Sequence, residues 1–196
     1  MKILIACESS GTVREAFRKL GHNAWSNDIL PADDNSPYHI QGDCVEAIKS
    51  QKWDMIGMHL PCTALAVSGN AHYGTGMHKN HLRIKSIEWT MEVWNLATSL
   101  CDKVYLENPV GVLPLKASQY IQPWQFGHPE SKKTGLWLHG LPKLEESNNV
   151  KEIFDSLPKK EQQRIHYLSP SKDRWKIRSK TFEGIADAMS NQWSKI

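Results

Sequence analysis

Residues 2–28 decide the fold class, because they contain a complete strand, loop, helix and second strand: KILIACESSGTVREAFRKLGHNAWSND. The apolar run Lys2–Cys7 predicts a buried strand, and Asn23–Asp28 predicts a second one. Between them, Thr12 and Glu15 have the spacing of a helix capping box, and apolar residues follow at helical intervals. This order predicts a parallel βαβ unit, the building block of a doubly wound α/β sheet.

The remainder of the chain continues the alternation of strands and helices. Further strands are predicted at His39–Gln41, Trp53–His59, Lys103–Leu106, Trp124–Gly127 and Leu136–His139. Helices are predicted after Asp43, between Ile84 and Cys101, near 150–156 and 159–166, and after Thr181. The Gly- and His-rich residues 63–81 predict a long mobile loop, and the short link between the last two strands predicts an antiparallel hairpin. We therefore expect an α/β, Rossmann-like fold with a mostly parallel seven-strand sheet.

Composition restricts the class of protein. The 196 residues are 40% hydrophobic and 23% charged, which predicts one globular domain spanning 1–196. No apolar run is long enough for a membrane span, and the apolar start is too short for a signal peptide. The four cysteines lack metal-ligand spacing, and His72, His78 and His81 are irregularly spaced. We therefore expect no metal site and no disulfide framework, and a cytoplasmic location.

Positive charge is concentrated in residues 159–180. The basic residues of this segment are Lys159, Lys160, Arg164, Lys172, Arg174, Lys176, Arg178 and Lys180. Only Glu161 and Asp173 oppose them, in a chain whose net charge is +3. Such clustering is typical of phosphate contacts in nucleic-acid-binding proteins, and it is equally compatible with a solvated surface helix and loop.

The loop Cys7-Glu8-Ser9-Ser10-Gly11 joins the first strand to the first helix, the position in which such folds cradle a cofactor. Asp28 ends the second strand, where a carboxylate can hydrogen-bond ribose hydroxyl groups or serve in an ordinary turn. Asp43 follows the third strand, where it can meet an adenine amino group or simply cap the next helix. The complete glycine pattern of dinucleotide-binding proteins is absent, which weakens that interpretation.

Cys62 and Glu107 are the strongest candidates for catalysis. Pro61-Cys62 and Glu107-Asn108-Pro109 each follow a predicted strand. The carboxyl ends of neighbouring parallel strands face one crevice, so a thiolate and a carboxyl group would converge there. Nearby cationic or dipolar groups can activate a thiolate at this place, and Glu107 can grip a base edge and supply a proton if burial keeps its carboxyl group poised near neutral pH. The alternatives are a small buried apolar residue for Cys62 and a turn residue for Glu107.

With these motifs in this order, the chain resembles the DNA cytosine-5 methyltransferases over nearly its full length. The stretches that carry the resemblance are Cys7–Gly11, Asp28, Gly42-Asp43, Leu60–Thr63, Glu107–Pro109, Phe126–Lys133 and Asp173–Thr181. The set looks most like the small cytosine methyltransferase-like proteins of phages and prophages. The resemblance implies the class I S-adenosylmethionine-dependent methyltransferase fold, in a protein encoded by a phage or its bacterial host.

The resemblance also implies a reaction and the groups that perform it. S-adenosylmethionine is the implied methyl donor, and Pro61 joins the loop and the two aspartates as an implied cofactor contact. Cys62 is implied to add to carbon 6 of a cytosine in DNA while Glu107 engages N3 and the amino group. Lys132 and Lys133 stand where the family has arginines near the target base, which must leave the stack if the substrate is a duplex. The expected nucleic-acid contacts are Lys172, Arg174, Lys176, Arg178 and Lys180.

Departures from the family pattern leave the substrate open. Serines replace glycines in the cofactor loop, and Asn108-Pro109 replaces the usual Asn-Val. A short basic insert at about 143–172 stands in place of the large target-recognition domain. Three hypotheses therefore remain: methylation of cytosine in DNA with little sequence specificity, methylation of pyrimidine nucleotides or RNA, and non-catalytic binding to DNA or to a host protein.

Overall fold

A computed structural model describes all of residues 1–196. The strands are β1 (Lys2–Ala6), β2 (Asn23–Asp28), β3 (His39–Gln41), β4 (Met55–Met58), β5 (Val104–Pro109), β6 (Gln119–Ile121) and β7 (Thr134–His139). They form one seven-stranded sheet in the order β3-β2-β1-β4-β5-β7-β6. Strands β1 to β5 are parallel, and β7 runs antiparallel to both β5 and β6. The predicted fold, a Rossmann-like α/β sheet of seven mostly parallel strands with an antiparallel hairpin, is confirmed.

Eight helices accompany the sheet. They are α1 (Thr12–Lys19), α2 (Cys44–Lys49), α3 (Asn70–Tyr73), α4 (Asn80–Leu100), α5 (Lys151–Ser156), α6 (Lys159–Gln162), α7 (Arg174–Ser179) and α8 (Glu183–Trp193). Side chains of β1 alternate between the two faces of the sheet: Ile3 and Ile5 pack with α1 and α8, whereas Leu4 and Ala6 pack with α2 and α4. Both faces are therefore buried, as is usual for a parallel sheet. None of the eight helices combines the length and apolar character that crossing a membrane requires.

The turn between β1 and α1 differs from the predicted capping box. The helix begins after Gly11, which has a φ of +66°, a value that residues with a side chain rarely adopt. The carboxylate of Glu8, and not the side chain of Thr12, accepts hydrogen bonds from the amides of Val13 at 2.7 Å and Arg14 at 3.3 Å. The capping-box prediction is wrong because the left-handed turn at Gly11 brings Glu8 over the free amides of the first helical turn.

The antiparallel edge of the sheet differs from the prediction in two places. Because β7 pairs with β5 along its whole length, β5 continues to Pro109, and Glu107 lies within the strand instead of after it. The predicted strand at Trp124–Gly127 is wrong, and β6 takes its place in the hairpin. Pro123 lacks the amide hydrogen that a strand ladder needs, and Pro123–Gln125 form a 3-10 turn.

Residues 63–81 contain regular structure, so the prediction that they form one long loop is wrong. They contain a 3-10 turn at Val67–Gly69, helix α3 and the start of α4. The guanidinium group of Arg83, which is buried, donates to the carbonyl oxygens of Ala64 at 2.7 Å and Ala66 at 3.1 Å. These bonds attach the segment to α4. Sequence periodicity does not reveal them, because backbone carbonyl groups accept the bonds.

Candidate active site

Strands β4 and β5 bring the two catalytic motifs together. Their parallel register runs to the carboxyl edge of the sheet, where Pro61-Cys62 follows β4 and Glu107 lies near the end of β5. The side-chain amide of Asn108, which is 1% exposed, donates to the carbonyl oxygen of Leu60 at 3.2 Å. This bond ties the turn that carries the thiol to the strand that carries the carboxylate. Both motifs therefore lie at the carboxyl edge of the sheet, and the space between Cys62 and Glu107 is called the crevice below.

Glu107 is a nearly buried carboxylate with several polar neighbours. His59 Nδ1 lies 3.0 Å from its Oε2, and the two side chains are 9% and 11% exposed. Burial raises the pKa of Glu107, but the hydrogen bond from His59, the charge of Lys132 and a hydrogen bond from Thr134 outweigh it. The pKa of Glu107 is therefore below its usual range. The prediction that burial keeps this group poised near neutral pH is wrong, because these neighbours favour the charged form.

His59 links Glu107 to the core, and the sequence interpretation did not identify it. Its Nε2 lies 3.0 Å from the hydroxyl group of the fully buried Tyr105. Burial raises the pKa of Tyr105 well above its usual value, so its hydroxyl group keeps its proton. Because the charged Glu107 carboxylate can only accept, His59 directs an Nδ1 hydrogen at it. Thr181 was predicted to cap the last helix, but Phe182 holds the N-cap position of α8. The hydroxyl oxygen Oγ1 of Thr181 instead lies 3.4 Å from His59 Nδ1. The only sequence signal for His59 was its place at a strand end.

Cys62 lies in the turn after β4 and is partly exposed. Burial raises the pKa of its thiol, and the charge of Glu107 raises it further. The charges of Lys132 and Arg178 lower this pKa without offsetting the rise. The two cations therefore act in the predicted direction, but burial and the carboxylate together outweigh them.

The two lysines that precede β7 occupy different places. Lys132 Nζ donates to the carbonyl oxygens of Ser179 at 3.4 Å and Lys180 at 3.1 Å, and its charge acts on both candidate catalytic groups. Lys133 Nζ lies 4.8 Å from the ring centroid of Tyr120 on the edge strand β6. The structure therefore brings Lys132 to the crevice and turns Lys133 toward the edge of the sheet.

Some polar groups of the predicted cofactor loop, Cys7–Gly11, form hydrogen bonds within the protein. Glu8 is 5% exposed and faces the amides of α1 instead of the open crevice. Cys7 has a φ of +59°, and a hydrogen bond with the thiol of Cys44 is the largest cause of its raised pKa. Ser9 and Ser10, which lie between Glu8 and Gly11 in this loop, are partly exposed.

The remaining predicted cofactor residues lie at the same edge of the sheet. Asp28 Oδ1 accepts the amide of Leu30 at 3.0 Å, so this side chain also supports a turn. Asp43 caps α2 by accepting hydrogen bonds from its first amides, as the structural alternative predicted. Pro61 lines an open cavity of about 370 Å³ beside α4, together with Trp89.

This edge fits S-adenosylmethionine by the chemistry of its side chains. The partly exposed Asp28 carboxylate has a second oxygen that can accept ribose hydroxyl groups. Three partly buried apolar side chains, Ile40, Val45 and Trp89, pack against the core of this half of the sheet and can flank a planar base. The residues present therefore provide the polar and the apolar contacts that a nucleoside requires.

Two of the five basic side chains predicted to contact nucleic acid are engaged within the protein. Lys176 Nζ pairs with Asp33 at 2.7 Å, and Arg174 Nη2 donates to the carbonyl oxygen of His166 at 3.2 Å. The charge of Arg178 reaches the thiol in the crevice, where it lowers the pKa. Of the five basic residues, Lys172 and Lys180 are exposed. The basic surface is thus continuous with the crevice, although some of its cations also hold α7 in place.

Two solved methyltransferase structures are similar to this chain. No family model matches the chain, and no curated protein matches it. The Entamoeba histolytica methyltransferase EhMeth is 13% identical, with a TM-score of 0.49 over 75% of this chain and 57% of that one. The S. pombe Dnmt2 methyltransferase is 14% identical, with a TM-score of 0.47 over 87% of this chain and 60% of that one. The chain spans less than two thirds of either protein, and at these identities the similarity concerns the fold alone.

Proposed function

We propose that this protein transfers a methyl group from S-adenosylmethionine to carbon 5 of cytosine in DNA, through a covalent adduct with Cys62. The observation that carries the proposal is the convergence of Cys62 and Glu107 in one crevice, with His59 holding the carboxylate. A cytosine needs a nucleophile at carbon 6 and an anchor for its Watson–Crick edge, and these two side chains supply both. The resemblance in motif order supports the same reaction.

Glu107 orients and polarises the base in this mechanism. As a carboxylate, it accepts a hydrogen bond from the cytosine amino group, and a proton taken up from solvent when the base binds is shared between Glu107 and ring N3. His59 donates to Oε2 and so fixes the carboxylate in the plane that the base edge must meet. The proton at N3 draws electrons from the ring, which makes carbon 6 more electrophilic.

Cys62 becomes the nucleophile once a base is bound. The charge of Glu107 raises the pKa of the thiol, and hydrogen bonds from the base to Glu107 reduce that effect. Lys132 and Arg178 then stabilise the thiolate that forms when the thiol proton leaves to solvent. The sulfur bonds to carbon 6, and the π electrons of the C5–C6 bond make carbon 5 nucleophilic.

The second half of the reaction restores the cysteine. When bound, S-adenosylmethionine would supply an electrophilic methyl group to carbon 5 and would leave as S-adenosylhomocysteine. The C5 proton then leaves, the C5–C6 double bond re-forms, and the sulfur departs from carbon 6 as a thiolate. Lys132 and Arg178 stabilise the departing thiolate as they stabilised the attacking one. One methyl group is gained and one proton is released in each cycle.

Nucleoside mass spectrometry of DNA from cells that express the protein tests this function. We expect 5-methylcytosine in DNA from cells with the wild-type protein and none above background with Cys62→Ser, which keeps the size of the side chain. Both proteins must be present at equal soluble levels. Absence of 5-methylcytosine with the wild-type protein would contradict the proposal.

A second candidate keeps the chemistry and changes the substrate to a pyrimidine nucleotide or RNA. It is favoured by the short segment between β7 and α7, in which the only helices are α5 and α6, of six and four residues. Transfer of a labelled methyl group to dCMP, RNA and DNA in parallel separates the two candidates. Transfer to DNA alone would reject the second candidate.

A further inference from the structure

We propose that the substrate strand is unpaired DNA, and that the basic segment, residues 159–180, holds it with Trp175 stacked on a base beside the target cytosine. The inference rests on the proposed function for the chemistry at Cys62, and it adds the form of the strand and the residue that selects it. The charge of the segment, its position beside the crevice and its exposed aromatic side chain support this assignment.

The basic segment carries more positive charge than the whole chain. It has eight basic and two acidic side chains, a surplus of six, whereas the net charge of the chain is +3. The rest of the chain is therefore net negative, and it repels a polyanion that the segment attracts. A phosphate backbone is the polyanion that belongs beside a site for a nucleic-acid base.

The end of the segment, residues 178–180, lies beside the crevice. Lys132 donates to the carbonyl oxygen of Ser179, at the end of α7. The charge of Arg178, one residue earlier, acts on the thiol of Cys62. A strand whose phosphates follow this segment therefore passes directly beside the candidate nucleophile.

Trp175 is unusual among the tryptophans of this protein. It is 57% exposed on α7, whereas Trp53, Trp137 and Trp193 are at most 5% exposed. This exposed indole ring, between Arg174 and Lys176 in the sequence, presents a flat face on which any base can stack. Aromatic rings beside a basic track are the usual means of binding single strands without reading their sequence.

The geometry of α7 favours an unpaired strand over a duplex. A helix reads duplex DNA by entering the major groove, and α7 has six residues, a length of roughly 9 Å. Lys176 pairs with Asp33, and Ser179 is held by Lys132, so the helix is attached to the protein along its length. An unpaired strand already offers its base faces to Trp175, and its cytosine reaches the crevice without the cost of leaving a stacked duplex.

Anisotropy of fluorescein-labelled oligonucleotides, measured with the full-length protein, tests the inference. The probes are a mixed-sequence single DNA strand and the same strand annealed to its complement. We expect the single strand to bind about tenfold more tightly, and Trp175→Ala to weaken single-strand binding by about tenfold. Trp175→Phe keeps an aromatic face and should retain most of the affinity. Ile177→Ala, which removes another exposed apolar side chain from the same helix, should bind like the wild type.

Equal affinity for the duplex, or wild-type affinity in Trp175→Ala, overturns the inference. Vesicles of anionic phospholipid are a third probe, and Trp175-dependent binding to them without oligonucleotide binding also overturns it. The outcome is separate from that of the proposed function. Trp175-dependent binding of the single strand in a protein that forms no 5-methylcytosine would reject the chemistry and keep the surface. Methylation of duplex DNA alone would support the proposed chemistry and reject the single-strand surface.

Discussion

Two carboxylates at the same edge of the sheet have opposite electrostatics. Glu8, in the loop after β1, is 5% exposed, and burial raises its pKa more than His59, Arg14 and the amides of α1 lower it. Glu107, near the end of β5, is similarly enclosed, yet its pKa is below the usual range. In both cases burial is the largest cause, and the neighbours decide which form is favoured.

The difference between these two regions follows from what each carboxylate faces. Glu8 meets backbone amides and holds the first turn of α1. Glu107 meets the imidazole of His59, with Lys132 and Thr134 nearby. One buried carboxylate therefore builds the loop, while the other stays charged in the crevice, where a base edge can bind it.

Replacing each carboxylate by its amide gives the largest expected contrast in activity. Glu107→Gln removes the charge that anchors the base and the proton shared with N3, so methyl transfer should fall by about 10²–10⁴-fold. Glu8→Gln keeps an acceptor for the amides of α1, and transfer should stay within about tenfold of wild type. Initial rates with labelled methyl donor measure both. Equal losses in the two variants would break the contrast.

The same two variants should respond to pH in opposite directions. Because the pKa of Glu107 is lowered, its charge stabilises the folded chain above the unfolded pKa, and this contribution is lost as the pH falls through the folded pKa. Because the pKa of Glu8 is raised, its contribution is present below the unfolded pKa and is lost as the pH rises through the folded pKa. Urea unfolding at acidic and neutral pH should therefore show Glu107→Gln costing more at neutral pH, and Glu8→Gln costing more at acidic pH.

Removing His59 sharpens the comparison by giving Glu107 a less polar environment. His59→Phe eliminates a charge-assisted hydrogen bond worth about 1.5–3 kcal/mol, so kcat should fall roughly 10- to 100-fold. The acid limb of the pH–rate profile should also move to higher pH, because the pKa of Glu107 rises when its donor is lost.

Two further variants separate positioning by His59 from a merely structural role. His59→Asn retains an N–H donor and should recover part of kcat. Tyr105→Phe removes only the hydroxyl group that bonds Nε2, and its effect should be smaller. An acid limb that does not move in His59→Phe would show that His59 does not act through Glu107.

Replacing Lys132 or its neighbour Lys133 gives the smallest expected effect, a change in the reactivity of the Cys62 thiol. Lys132→Gln removes a charge that lowers the pKa of Cys62, so alkylation of Cys62 by iodoacetamide at fixed pH should slow by about threefold. Lys133→Gln, beside Tyr120, should leave the rate unchanged. In both proteins the rate should rise with pH through the alkaline range, because the pKa of the thiol is raised. Peptide mass spectrometry identifies the modified cysteine. Equal slowing in the two variants would contradict a specific effect of Lys132 on the Cys62 thiol.

The fold was predictable from local patterns for the parallel half of the sheet. β2 and β3 have the predicted bounds, and Asp43 caps α2, because these features depend on apolar runs and on residues a few positions apart. The antiparallel half was predicted less well. Pairing with β7 lengthens β5, and Pro123 displaces the hairpin strand, and both effects depend on which partner a strand meets.

The sequence by itself determined that a cysteine and a glutamate end up at one edge of a parallel sheet, because strand order and motif position suffice for that inference. Only the tertiary structure decided their protonation. His59 is joined to Tyr105, whose ring in turn fills the space that Gly57 leaves; a Cβ at Gly57 would lie 2.4 Å from ring atoms. Charge states depend on distances between residues far apart in the chain, and those distances are fixed only when the strands pack side by side.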